Sequence, residues 1–577
     1  MISLKFTDIL KRNHELGQKL TGSEYNIGII SNITINQIKE VLELNLREEN
    51  INANVITGDY DTIVQDSSHF SQSDTVVVFW EAGNLVEGLH NKAHLMTEED
   101  LDVLVCRVEN EIELVLRNLK NTPLVLINKF SSFLFYSDPL RNEPLARLCK
   151  RLNAVLESKV TSNQIIVDIE MVFATVGLDK CADFRQFLSS KALYSLEFFK
   201  AYTEAVTPAL LTATGNSKKI LVLDCDNTLW GGILGEDGPF GIRMNDMTSQ
   251  GKAFLEVQTI LRGLRKEGVL LALCSKNNFS DVEQVFLEHP DMILKEEDFV
   301  AKKINWLDKA TNLRELAIEL NLGLDSFVFI DDSAFEIGLI QKELPHVKCI
   351  QVPKQLSEYP TLVRRLRSNF FLLSKSVEDE RKTKMYQEER HRKANVSQFS
   401  SIDEYLRSLQ LKLTIYWDAD IPVSRVAQMS QKTNQFNLTT RRYTEAEIQR
   451  MLADPLYTLA AFSVSDLYGD YGVTGMAVVR NNEEFSNNWV VDSFLISCRV
   501  IGRNIEYAFF DELVHTLRTR NINRLHGEYL TTAKNSQVEM FYDTLGFTRT
   551  LDKENGKDYM IYLSDYKGQD IKYIDII

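Results

Sequence analysis

Two aspartates one residue apart, in Asp224-Cys225-Asp226-Asn227-Thr228, follow the apolar run Lys-Ile-Leu-Val-Leu. Such a run reads as a strand buried on both faces, which sets the carboxylates just beyond its carboxyl end, where open parallel sheets bind ligands. Carboxylates at i and i+2 can address one phosphoryl group together. One attacks phosphorus while the other gives and later takes a proton. The negative charge gathered there calls for a hard cation with oxygen ligands, and magnesium suits that set. A second apolar run, Phe-Val-Phe-Ile, ends in Asp331-Asp332 and supplies further ligands. A third, Leu-Leu-Ala-Leu-Cys, ends in Ser275-Lys276-Asn277-Asn278, whose hydroxyl and N–H groups can hold phosphate oxygens. Asn305-Trp306-Leu307-Asp308-Lys309 opens a helix and offers a cation to the phosphate.

Singly, each piece has a plain structural explanation. Asp-Cys-Asp is a loop, Asp331-Asp332 or Ser275 a helix cap, and Lys309 a surface charge. Together they form three apolar strands, each ending in the required group, in one order within one unit, and that joint pattern is the phosphoryl-transfer signal.

The constellation resembles the haloacid-dehalogenase superfamily of phosphatases and phosphotransferases. The resemblance implies that Asp224 is the nucleophile, Asp226 the general acid/base, and Ser275 and Lys309 phosphate binders, with Thr228 and Asn277 beside them. It also implies Mg²⁺ held by Asp224, Asp331 and the backbone carbonyl of Asp226, with Asp332 assisting. Between Asp226 and Ser275 there is room for a short hairpin (230–243) and one helix (251–266), and only a small helix precedes Lys309. With no insertion long enough for a lid domain, the site is expected to be closed by other domains or left open to a large substrate.

Longer runs sharpen the resemblance: Leu229-Trp230-Gly231-Gly232-Ile-Leu-Gly235-Glu236-Asp237-Gly238 after the aspartates, Cys274-Ser-Lys-Asn-Asn278, and Ser326-Phe-Val-Phe-Ile-Asp331-Asp332. Together they look like the FkbH-like family of polyketide and related pathways. That resemblance implies a small phosphorylated three-carbon substrate, 1,3-bisphosphoglycerate, whose glyceryl group is loaded as a thioester onto a separate acyl carrier protein. Near the carboxyl end, Ser497-Cys498-Arg499-Val500-Ile501-Gly502-Arg503-Asn504 and Phe541-Tyr542-Asp543-Thr544-Leu545-Gly546-Phe547 resemble the GNAT fold. In that fold a turn at a helix start binds pyrophosphate. Asn504 departs from the small residue that closes this turn. Cys498, flanked by Arg499 and Arg503 before a helix, is the position the resemblance implies for the glyceryl carrier. Such surroundings favour a thiolate, and a buried structural cysteine is the alternative. Arg441, Arg442, Arg499, Arg503, Arg518, Arg520 and Arg524 are candidates for a basic face toward an acidic carrier, with Gly502 in the acyl-pocket turn. The amino-terminal layout resembles an SGNH-type domain. There Ile30-Ser31-Asn32 replaces Gly-Asp-Ser and no Asp-x-x-His occurs near 179–187, so packing or partner recognition is expected rather than hydrolysis.

These residues need a multidomain α/β chain to position them. At 577 residues, about 150 per domain gives three or four units. Residues 1–212 alternate strands (26–30, 75–80, 122–127, 165–169) with helices (35–48, 98–118), predicting an SGNH-like doubly wound sheet. Residues 213–370 carry strands at 219–223, 269–274, 327–330 and 349–352 and form the haloacid-dehalogenase-type parallel core with a minimal cap. The charged stretch 371–394 reads as a helical linker. Residues 395–577, with strands at 411–417, 459–465 and 488–496 and helices at 444–452 and 505–518, form a GNAT-like α+β unit. Seven scattered cysteines without a CxxC pair argue for a reducing cytoplasm and against zinc or a disulfide framework. The net charge of −16 disfavours nucleic-acid binding, and no apolar run is long enough to span a membrane. The competing functional reading is a phosphatase of a small metabolite, with the last unit serving only as a lid.

Overall fold

The computed structural model describes residues 4–20, 22–135, 143–371, 383, 402–467, 469–481, 488–532, 534–569 and 571–577, the side chains of Ile402, Asp403 and Cys498 excepted. The stretch read as a linker, 371–394, lies outside the described residues except for Phe371 and Thr383. The chain forms two compact units, one of residues 1–213 with 443–447 and the other of 214–442 with 448–577.

In the first unit β1 (Tyr25–Ser31), β2 (Ala53–Tyr60), β3 (Thr75–Phe79), β4 (Leu124–Asn128) and β5 (Gln164–Val167) form a parallel sheet in the order β2-β1-β3-β4-β5. Every residue of β3 and β4 is buried, as helices on both faces of a parallel sheet require. The helix Glu98–Asn118 lies where its apolar spacing predicts and starts on a Thr97–Asp100 capping box. The last expected strand is shorter than its apolar run. The Asp168 side chain caps Glu170 and turns Ile169 into a helix. The edge strand β2, half exposed and polar at its end, escaped the sequence pattern.

Ser31 and Asn32, at the end of β1, are engaged locally. The Ser31 hydroxyl accepts from the Ile33 N–H (3.1 Å), and the Asn32 amide both donates to the Glu81 carbonyl (3.0 Å) and accepts from the Glu81 N–H (2.7 Å). The Glu81 carboxyl itself is buried and accepts from the Tyr194 hydroxyl (2.6 Å) and the Gly83 N–H.

The second unit holds two sheets. The central one is parallel, in the order β10-β9-β6-β7-β8: β6 (Ile220–Leu223), β7 (Leu270–Ser275), β8 (Phe299–Ile304), β9 (Phe327–Asp331) and β10 (Lys348–Gln351). All residues of β6, β7 and β9 are buried. One face packs with Leu221, Leu223 and Leu271 against the helix Ser249–Lys266, and the other packs with Val222, Ala272 and Phe329 against Lys309–Leu320.

The remaining sheet is mostly antiparallel. It comprises β11 (Leu411–Trp417), β12 (Phe436–Asn437), β13 (Tyr457–Asp466), β14 (Gly469–Asn481), β15 (Asn488–Ile496), β16 (Arg524–Leu530), β17 (Thr548–Lys553), β18 (Gly556–Tyr562) and β19 (Ile574–Ile576). Its order is β17-β18-β16-β15-β14-β13-β11-β19. Parallel neighbours β15 and β16 pair only over Asn488–Val491 and Arg524–Gly527. Beyond that point β12 lies against β15, and the Leu530 N–H bonds the Leu438 carbonyl (2.9 Å), so residues 436–438 fill the gap between the two strands. No helix among the described residues is long and apolar enough to cross a membrane.

Burial raises the Glu81 carboxyl from 4.5 to about 7, against the opposing hydrogen bonds from Tyr194 and Gly83. Its protonated form is the one the fold prefers. Stability of the first unit therefore falls as pH climbs from about 4.5 to about 7, by roughly 3 kcal/mol at most. Glu81→Gln removes the ionisation, so its urea midpoint should be flatter than the wild type's between pH 5 and 8. Parallel pH profiles for the two proteins would overturn the assignment.

Candidate active site

The site forms where three buried strands of the central sheet end together. Asp224 follows β6 directly, its N–H bonded to the Ile330 carbonyl of β9 (3.1 Å), so the two acidic strand ends stay in register. The Cys225 carbonyl accepts from the N–H groups of Thr228 (3.1 Å) and Leu229 (2.8 Å), with Asn227 in the left-handed region at φ 51°, and this tight turn brings Asp226 and Thr228 back over the strand. Asp331 closes β9, and its Oδ1 accepts from the Ser333 N–H (2.9 Å). Ser275 closes β7 and is 1% exposed. Lys309 comes from farther off, beyond β8, as the first residue of a helix capped by Asp308.

Asp224, Asp331 and Asp332 each offer an oxygen within 4.8 Å of the others, a spacing that could hold a metal ion. Lys309 Nζ stands among them, 3.1 Å from Asp224 Oδ2 and 2.5 Å from Asp331 Oδ2. Burial works against its ammonium, but the charges of Asp224 and Asp331 outweigh burial and leave its pKa above the ordinary lysine value. Asp331 and Asp332 are both raised, by burial first and by the charge of Asp224 second. Two buried oxygens at the site have no hydrogen-bond partner, Asp224 Oδ1 and Thr228 Oγ1. Asp224 Oδ1 could serve a cation as ligand, and the Thr228 hydroxyl could donate to an anion.

The Asp226 side chain belongs to a different environment. Its Oδ1 accepts from the Trp230 indole N–H (2.9 Å) and the Leu234 N–H (3.1 Å), and its Oδ2 from the Asn277 amide (3.1 Å), which also reaches the Ser275 hydroxyl (3.2 Å). The structure thus gathers Asp224, Asp226, Thr228, Ser275, Asn277, Lys309, Asp331 and Asp332 at one edge. The donors to Asp226 from Trp230 and Leu234 were not foreseen. A fully buried tryptophan in a Trp-Gly-Gly turn was the one available signal. Gly231 and Arg243 exchange backbone hydrogen bonds (2.8 and 2.7 Å), closing a short hairpin that contains the single-turn helix Leu234–Asp237.

The candidates in the last sheet are distributed differently. The side chain of Cys498 lies outside the described residues, and its backbone opens the turn Cys498–Val500 after β15. Gly502 has φ 85°, and Arg499 Nε donates to the Ser497 hydroxyl (3.2 Å). Arg503 is buried over the Tyr471 ring, bonded to the Tyr471 hydroxyl (2.5 Å) and 3.6 Å from Asp466. Arg441 pairs with Asp492 and Glu528 (2.7 Å each), and Arg442 donates to the carbonyls of Gln431 and Thr214 and to Asn434 Oδ1. Arg518 donates to the carbonyls of Leu563 and Tyr566, Arg520 to Thr458 and Asp418, and Arg524 to the Tyr562 hydroxyl. Each of these arginines thus makes contacts within the chain.

No family model and no curated protein matches the chain. Among solved structures it is similar to the amino-terminal part of a Bacteroides fragilis protein, described as containing a phosphatase domain and complexed with magnesium. That match has 22% identity over 64% of this chain and all of the other, with a TM-score of 0.56. The parallel core expected from the aspartate motif is therefore present as a fold. The chain is also similar to the ribosomal-protein-S18-alanine N-acetyltransferase of Escherichia coli, at 12% identity over 28% of this chain and 98% of that one, TM-score 0.21.

Lys309→Met would leave Asp224 and Asp331 facing each other in a buried site. In metal-free buffer it should lower stability by about 3 kcal/mol, read as a drop in denaturation midpoint. An unchanged midpoint would mean that Lys309 does not compensate these carboxylates.

Proposed function

We propose that the chain is a magnesium-dependent phosphohydrolase and transferase in which Asp224 attacks phosphorus. The carrying observation is the Asp224 carboxylate itself, with one oxygen paired to Lys309 and the other buried without a partner beside Asp331 and Asp332. Asp224, Asp331, Asp332 and the Asp226 carbonyl would hold magnesium, whose charge lowers the repulsion between phosphate and carboxylates. Asp224 attacks phosphorus and the bond to the leaving oxygen breaks. Asp226, fixed by Trp230, Leu234 and Asn277, hands that oxygen a proton. Water then attacks the aspartyl phosphate, Asp226 takes its proton back, and inorganic phosphate departs. Ser275, Thr228 and Lys309 hold the phosphoryl oxygens throughout.

The finer reading follows the FkbH-like resemblance. With 1,3-bisphosphoglycerate, the thiolate of Cys498 attacks the acyl carbon, the carbon–oxygen bond to phosphate breaks, and a thioester forms. The thiol of a separate acyl carrier protein then takes the acyl group and Cys498 is restored. Attack by Asp224 on the phosphorus of the acyl phosphate would release a free carboxylate, and no thioester could follow. The chemistry therefore assigns the acyl phosphate to Cys498 and the remaining phosphate ester to Asp224. A second reading, a phosphatase of a small phosphorylated metabolite without acyl transfer, is favoured by the filled gap between β15 and β16 and by arginines committed within the fold.

Intact mass after incubation with 1,3-bisphosphoglycerate and Mg²⁺ separates the two. Transfer requires a glyceryl or phosphoglyceryl adduct that disappears in Cys498→Ala. Phosphate release without any adduct, unaffected by Cys498→Ala, leaves the phosphatase alone. With a substrate that carries only the phosphate ester, 3-phosphoglycerate, Asp224→Asn should reduce phosphate release by at least about a thousandfold, and retained release would overturn both readings.

A further inference from the structure

Lys276 and Lys309 both follow strand ends of the central sheet, but their surroundings differ. Lys309 is buried and committed to Asp224 and Asp331. Lys276, the residue after Ser275, keeps 37% of its side chain exposed and pairs with Glu336 at 2.6 Å. Glu336 lies in the first turn of the helix Ala334–Glu343 that follows β9, its side chain 9% exposed and its second oxygen buried without a partner. Since β6 lies between β7 and β9, this ion pair reaches across the end of the strand that carries Asp224.

We infer that Lys276 is a specificity-determining residue that leaves Glu336 to bind a second anionic group, a carboxylate or a further phosphate, on the substrate whose phosphoryl group Asp224 receives. The inference rests on the phosphoryl-transfer reading and names the substrate class within it. The charge of the transferred phosphoryl group is met by Lys309 and the metal ligands' cation, so a second anion needs another partner. Lys276 is the cation one residue from Ser275 that still faces solvent. Exchange takes Lys276 from a carboxylate that is only 9% exposed, so the second anion itself has to supply the attraction that offsets the loss. Glu336 left behind retains the helix amino terminus as a favourable partner. A phosphorylated alcohol without a second anion gains nothing from the switch.

The test is a ratio, kcat/KM for 3-phosphoglycerate over kcat/KM for glycerol 3-phosphate, measured with the full chain and Mg²⁺. The wild type should favour 3-phosphoglycerate by about tenfold or more, the usual effect of a charge-assisted contact. Lys276→Met and Lys276→Gln should both bring the ratio close to one, Lys276→Arg should restore most of it, and Glu336→Gln should preserve or raise it. A wild-type ratio near one, or an unchanged ratio in both neutral variants, would overturn the assignment. Loss of the ratio in Glu336→Gln as deep as in Lys276→Met would show that the pair is structural, and would overturn it too. If Asp224→Asn is inactive while the ratio ignores Lys276, only this inference falls; if Asp224→Asn keeps releasing phosphate, the phosphoryl-transfer reading fails first.

Discussion

Three carboxylates crowded at one buried sheet edge, with a single lysine among them, is the constraint on which the second unit turns. Asp224 and Asp331 end adjacent strands, so the sheet pairing that builds the core also forces their charges together. Burial first and the neighbouring charge of Asp224 second resist ionisation, which is why Asp331 and Asp332 rise. Lys309 offsets this from a helix that starts beyond β8, two strands away from β6, and its ammonium rests over the Phe329 ring at 5.9 Å. The compensation is incomplete, because Asp224 Oδ1 still lacks a partner.

The fourth carboxylate escapes that crowd. One residue beyond Cys225, the chain turns through Asn227, and the Asp226 side chain enters a cage of donors from Trp230, Leu234 and Asn277. Two aspartates two residues apart thereby meet opposite surroundings, one facing a lysine and metal ligands, the other facing indole and amide N–H groups.

The legible part of this arrangement was the part written in buried strands. The runs before Asp224, Ser275 and Asp331 are apolar at every position because helices cover both faces, and the polar group that ends each run stands out against it. Strands at sheet edges left no such trace. β2 is half exposed, and all of β17 is exposed, so their sequences read as loops. Contacts between loops were equally silent. Nothing periodic announces that Trp230 reaches Asp226, that Lys276 reaches Glu336, or that residues 436–438 fill the gap beside β15. The internal contacts of the arginines in the last sheet were equally unreadable. A guanidinium has five donors and binds internal carboxylates and carbonyls as readily as those of a partner, and here Arg441, Arg442 and Arg503 do so.

The ties between the last sheet and the central one bear on how the site is closed. Lys534 pairs with Asp325 at 2.6 Å and donates to Asn216 Oδ1 at 2.9 Å, while Asn434 and Arg442 bond the carbonyls of Gly215 and Thr214. Gly215 has φ 73°, and a Cβ there would lie 2.3 Å from Arg442 Nη2, so the approach depends on glycine. All of these contacts meet the central sheet before β6 and before β9, at the amino ends of the strands. Asp325 lies in the turn Leu324–Ser326 just before β9, and the four steps from Phe327 to Asp331, at about 3.3 Å each, put the ties at the far end of a strand roughly 13 Å long. Held at that edge, the last sheet leaves the aspartate edge uncovered at these contacts. Among the described residues, the hairpin closed by Gly231 and Arg243 does lie at that edge, where its Leu234 N–H donates to the Asp226 carboxylate.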